Sequence, residues 1–113
     1  GHGSEMAEKS SVRLRFEFGK LPFLDGAVEY AEDNLFPGGA CKNQQCYQDH
    51  VTFDAGLSEE QQLLLFTPET SGGLLAAVPP GELARLDKLF KDAGLFYAVI
   101  GDVDEGAGIQ VMV

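Results

Sequence analysis

The chain is short of positive charge. Eight Lys and Arg stand against eighteen Asp and Glu in 113 residues, a formal net charge of -10. Nucleic-acid binding needs a basic stripe that neutralises phosphates, so that class is excluded, and so is attachment to an anionic membrane surface. The same shortage bears on nucleotides. Too few cations are present to clamp a polyphosphate by side chains, so any phosphate bound here would rely on backbone N–H groups or on cations and lysines of another domain. There are only two cysteines, Cys41 and Cys46, too few for a disulfide scaffold. Free thiols in a reducing cytoplasm are the plain reading. Apolar runs are short: Leu63-Leu64-Leu65-Phe66 falls far below the roughly 20 residues of a membrane helix. No basic-then-apolar signal peptide opens the sequence, and no repeat, linker or low-complexity run divides it. A soluble, cytoplasmic protein is expected. What is present suits a single packed domain: 44% hydrophobic residues, eight Phe and three Tyr, a content that disordered chains lack.

Periodicity supplies the elements. Gly1 to Ser10 reads as the end of a helix or a frayed tail. Val12 to Phe18 alternates apolar and polar, predicting a half-buried strand with Val12, Leu14, Phe16 and Phe18 inward. Asp25 is placed to cap a short helix to about Asn34, with Ala27, Val28, Ala31 and Leu35 inside, stopped by Pro37-Gly38-Gly39. Ala40 to His50 is polar and weakly helical, and Val51-Thr52-Phe53 is a brief extended piece. Ser58 to Phe66 is a clearer helix, because Ser58 and Gln61 have capping-box spacing and Pro68 ends it. Leu74-Leu75-Ala76-Ala77-Val78 is a continuous apolar run, which suits a strand covered on both faces. After Pro80, a helix has Leu83, Leu86, Leu89, Phe90 and Ala93 on one side, and Gly94 closes it. Phe96 to Val103 reads as a strand, followed by a turn at Asp104–Gly108 and a last strand from Ile109 to Val113. The two final strands suggest a terminal hairpin. The interleaving gives a mixed sheet with packed helices, in the α+β or α/β classes.

The richest stretch for chemistry is Phe66-Thr67-Pro68-Glu69-Thr70-Ser71-Gly72-Gly73-Leu74-Leu75. Two hydroxyls precede two glycines that permit positive φ and close backbone approach. Consecutive N–H groups in such a turn can form an anion-binding nest. The competing reading is a plain connection in which glycine relieves crowding. No Gly-Lys-Ser/Thr ending makes it a P-loop. Asn43 is a second, weaker candidate, with turn or helix capping as its plain role.

Thr67-Pro68-Glu69-Thr70-Ser71-Gly72-Gly73-Leu74-Leu75 resembles the Pro-Glu/Gln-Thr-Ser-Gly-Gly-Leu-Leu signature of the selenophosphate synthetases (selenide, water dikinases). Leu21-Pro22-Phe23-Leu24-Asp25-Gly26-Ala27 is similar to the family's Leu-Pro-x-Leu-x-Gly-Ala. Pro37-Gly38-Gly39 with Asn43 is similar to its Pro-Gly-Gly-x-x-x-Asn. Val99-Ile100-Gly101, Gly106 and the last strand resemble its closing segment, and Gly1-His2 with Glu5-Met6-Ala7 resembles the end of its Gly-Phe-Gly-Leu-x-Gly-His helix. The likeness runs in order over essentially the whole chain.

That resemblance implies residues 1–113 are the C-terminal domain of a two-domain synthetase. The expected fold is α+β, a three-layer α/β/α unit like the C-terminal domain of aminoimidazole ribonucleotide synthetase, partly ferredoxin-like. The full enzyme would use ATP, Mg²⁺, selenide and water to make selenophosphate, AMP and phosphate, and would form a homodimer. The resemblance places the family's Cys or selenocysteine, its neighbouring Lys, its Gly-rich nucleotide segment and its metal-binding Asp residues upstream of Gly1. No catalytic or metal-binding residue is therefore expected on this chain, and no tightly bound cofactor. Thr70, Ser71, Gly72 and Gly73, with Asn43, are the substrate- or phosphate-proximal candidates, facing the chain's own N-terminal ATP-binding domain.

Two other readings stay open: a related ATP-dependent enzyme of the same superfamily, or a free-standing binding module. Other constellations fail. Cys41, Cys46 and His50 lack the four ligands and the spacing of structural zinc. Asp102 to Gly106 misplaces the Gly of a calcium loop, and the twelfth position holds Val113 instead of Glu. An isolated domain of this kind is expected to expose an apolar patch and to self-associate weakly through it.

Overall fold

A computed structural model describes residues 1–113. The opening segment is a helix, α1 (His2–Ser10), and small residues explain how it docks. Ser4 and Ala7 are buried, and Gly3 approaches so closely that an added Cβ would lie 3.1 Å from Ile109 Cδ1. Ser11 then turns left-handed at φ 54. There the Val12 N–H donates to the Ala7 carbonyl at 3.1 Å, a Schellman ending that satisfies the last helical carbonyls.

The alternating segment becomes strand β1 (Arg13–Glu17), with Leu14 buried as its pattern predicts. A 3-10 turn at Phe18–Lys20 follows. Helix α2 (Ala27–Glu32) starts at Gly26, φ 83, and no side chain caps it. The Asp25 cap is not formed. Ala31 is the buried residue of α2, whereas Leu35, expected inside, is 61% exposed, because the chain turns left-handed at Asn34 (φ 59) first. Helix α3 (Gly39–Tyr47) runs into a 3-10 turn at Gln48–His50 and strand β2 (Val51–Phe53). Helix α4 (Glu59–Leu64) begins with the expected capping box. Beyond it, helix α5 (Leu83–Ala93) is preceded by a 3-10 turn at Pro80–Glu82 and closed by left-handed Gly94, φ 65. Strands β3 (Gly101–Asp104) and β4 (Gly108–Met112) end the chain. None of the five helices is long and apolar enough to cross a membrane.

The strands form one mixed sheet in the order β2-β4-β1-β3. β1 runs parallel to β4 and antiparallel to β3, and β2 runs parallel to β4. The sheet and its helices bear out the α+β class. The terminal hairpin is corrected: β3 and β4 follow one another in sequence but do not pair, because β1 lies between them. Register puts Leu14 beside Ile109 and Phe16 beside Val111, with Val51 and Phe53 next along. These six residues make the apolar face, on which α1 rests. The other face carries Arg15, whose guanidinium donates to Met112 Sδ and lies 3.7 Å from Asp102. β3 approaches β1 so tightly at Gly101 that an added Cβ would collide with the Arg15 carbonyl. That contact explains the glycine after Val99-Ile100.

Three further expectations are corrected. Leu74–Val78 is not a strand and is not covered; Leu74 is fully exposed. The apolar stripe of α5 is largely uncovered too, with Leu89 55% exposed and no residue of the helix buried. Only Gly101–Val103 of the Phe96–Val103 segment lies in the sheet, as part of β3, and Tyr97 packs back on α5 instead. Phe90 packs against Tyr97 with ring centroids 5.1 Å apart.

Candidate functional site

The Thr67–Gly73 loop leaves from a firmly tied root. Phe66 is buried with its ring edge-on to Phe53. Thr67 Oγ1 donates to the Leu64 carbonyl at 2.9 Å, and Asn43 Nδ2, reaching across from α3, donates to the Phe66 carbonyl at 2.9 Å. The Leu64 carbonyl is one that a helix end leaves without an intrahelical donor, and the Phe66 carbonyl lies just past that end. Asn43 caps neither helix; it ties α3 to the chain just past the end of α4.

From Pro68 to Arg85 the chain is exposed, Thr70, Ser71, Gly72 and Gly73 included. Neither Gly72 nor Gly73 has positive φ, and a Cβ on Gly73 would meet nothing within 4 Å. As folded here, the loop presents hydroxyls and N–H groups but does not form the nest its glycines permit. Asn43 reaches the loop's root at Phe66, not the four loop residues themselves.

Beside the root, a cavity of about 400 Å³ opens over the apolar sheet face. Phe16, Phe53, Ile109 and Val111 line it, and Glu69 and Leu75, which flank the exposed tip, form part of its wall. Ser4 also lines it, with its hydroxyl buried and unpartnered. The alternation of β1 pointed to the Phe16 floor. Glu69 and Leu75 carried no signal beyond the signature they belong to.

A second polar cluster lies on the arm that carries α5. Asp87 accepts from Lys91 at 2.8 Å and from the Tyr97 hydroxyl at 2.6 Å. The Lys91 bond, then the Tyr97 bond, holds the Asp87 carboxyl below its ordinary value, and Asp87 in turn raises both Lys91 and Tyr97. This clasp ties α5 to the segment behind it. The Asp87–Lys91 half has ordinary i,i+4 helix spacing, whereas the Tyr97 half depends on the chain folding back.

No three His, Cys, Asp or Glu side chains come together as a metal site, and no basic cradle accompanies the loop. Cys41 and Cys46 are free and exposed. The arrangement offers a hydrogen-bonding loop at the mouth of an apolar cavity.

Comparison with known proteins agrees in extent with this reading. Residues 1–113 match the family described as AIR synthase related protein, C-terminal domain. The chain is 37% identical over 112 residues to a selenide, water dikinase of Geobacter sp. (strain M21), covering 99% of this chain and 32% of that protein. It is 39% identical over 113 residues to a selenide, water dikinase of Pseudomonas aeruginosa, covering 100% and 32%. For that of Pseudomonas straminea the figures are 36% over 108 residues, 95% and 30%. The chain thus spans about a third of the length of these curated relatives, in their C-terminal part. It belongs to the AIR synthase related family, as a C-terminal domain.

Proposed function

We propose that this domain is the C-terminal part of a selenophosphate synthetase, in which the Thr70-Ser71-Gly72-Gly73 loop faces the N-terminal domain and helps close the active site. The full enzyme makes selenophosphate, AMP and phosphate from ATP, selenide and water. The N-terminal part holds the nucleotide and Mg²⁺, and the whole protein works as a cytoplasmic homodimer. One observation carries the reading: the signature loop is held at its root but stands free at its tip, beside an open apolar cavity. Hydroxyl and N–H donors fixed on a rigid support contribute where charge develops during a reaction, and a loop that seals a site also excludes water.

The test is selenide-dependent ATP turnover by the full-length protein carrying Thr70→Ala. A fall in kcat of about tenfold or more is expected, the size of a lost positioned hydrogen bond. Unchanged turnover would remove the loop from the active site. The same assay on residues 1–113 alone should give no turnover, whereas mixing with the separate N-terminal half should restore some. Turnover by the isolated chain would overturn the assignment of nucleotide binding to the missing part.

A further inference from the structure

Two of the sequence motifs, distant in the chain, touch each other at one place. Gly39 and Asn43 lie four residues apart on α3 and so share a face of that helix. Asn43 Nδ2 donates to the Phe66 carbonyl at 2.9 Å. One turn earlier, the Pro68 ring stands on Gly39, where an added Cβ would come to 3.0 Å from Pro68 Cγ. The two contacts bracket Thr67, which is itself bonded back to Leu64. We propose that this face of α3 is a socket that sets the direction in which the Thr70–Gly73 loop leaves the fold, making Asn43 and Gly39 positioning residues for it.

The socket explains a pattern that neither motif explains alone. Gly39 has no positive φ, so its backbone does not require glycine; the closeness of Pro68 favours it. Asn43 sits inside a helix, where asparagine is a mediocre former, and its amide is spent on a carbonyl of another element. Pro68 restricts the residue before it to extended conformations. A carbonyl and a ring fixed on either side of Thr67 therefore leave the loop little choice of exit. This inference rests on the reading that the loop serves the active site, and the test separates the two.

The full-length synthetase is compared with Asn43→Asp, which swaps the donor for an acceptor of the same shape, and Gly39→Ala, which pushes on Pro68. Hydrogen exchange over 67–73 is expected to quicken about tenfold in each, the effect of one net hydrogen bond or packing contact. Exchange over 13–17 and 108–112 should stay as it was. Turnover should show kcat down about tenfold with KM for ATP little changed. Adding Pro68→Ala to Gly39→Ala should return kcat to that of Pro68→Ala alone, since the coupling exists only between touching groups. Wild-type exchange and kcat in both variants would overturn the socket. Faster exchange throughout the domain would overturn it too, because Asn43 would then serve the fold at large, and a freed loop with full kcat would remove the positioning role. A silent Thr70→Ala beside an impaired Asn43→Asp would retire the hydroxyl's part in the reaction and leave the socket standing.

Discussion

Ser58 carries both halves of a capping box: its hydroxyl accepts from the Gln61 N–H at 3.3 Å, and Gln61 Oε1 accepts from the Ser58 N–H at 3.0 Å. Ser58→Ala should lower the stability of the chain by about 1 kcal/mol, measured by urea unfolding, and Ser58→Asp should retain most of it. The clasp on α5 responds to pH. Lys91 and Tyr97 favour charged Asp87 and lower its pKa from 3.8. Its contribution is complete above that value and is lost as pH falls through the depressed one. Lys91 and Tyr97 are raised from 10.5 and 10.0, so their contributions hold below those values and go as pH rises past the raised ones. The clasp should stay shut across the neutral range and open at both extremes. A carboxyl ¹³C titration of Asp87 with its midpoint at or above 3.8 would refute this. The capping box was legible because it is written within four residues. The partner of Asn43 was not, since Phe66 comes 23 positions later and only the packing of α3 on α4 brings them together.

Leu74–Val78 shows what an apolar run leaves unsaid. Such a run signals a segment that suits burial but names no partner, and in this structure it lies uncovered beside the cavity. Leu74→Asp should therefore shift stability by only about 0.5 kcal/mol, whereas Leu14→Ala should cost about 2–5 kcal/mol, both read from urea midpoints. Comparable losses would mean that Leu74 is buried in solution. β1 was readable because its period of two states which side faces inward, and β4 and α4 came through for similar local reasons. The pairing of β1 between β3 and β4 was not readable. A turn between two strands suggests a hairpin, and nothing in either strand announces that a third will enter between them. The same limit applies to α5, whose stripe is plain in the sequence but whose partner is not.

At the scale of the whole molecule, exposed apolar side chains on the arm (Leu74, Leu89, Leu95 and Phe96) coexist with a net charge of -10. The first favours contact between copies, and the second opposes it through repulsion that salt screens within about 10 Å at 0.1 M. Sedimentation velocity should find the isolated chain monomeric at low salt and drifting to larger species near 1 M. A sharp monomer at both, at high protein concentration, would mean the arm is not sticky. The sheet order has another consequence, in time instead of space. Arg13 lies against both Gly108 and Asp104, yet about 90 residues are made between them. At roughly 5–20 residues per second, β1 leaves the ribosome on the order of 5–20 s before either neighbour exists. For that interval Leu14 and Phe16 sit on an orphan strand with two bare edges, open to pairing with other chains.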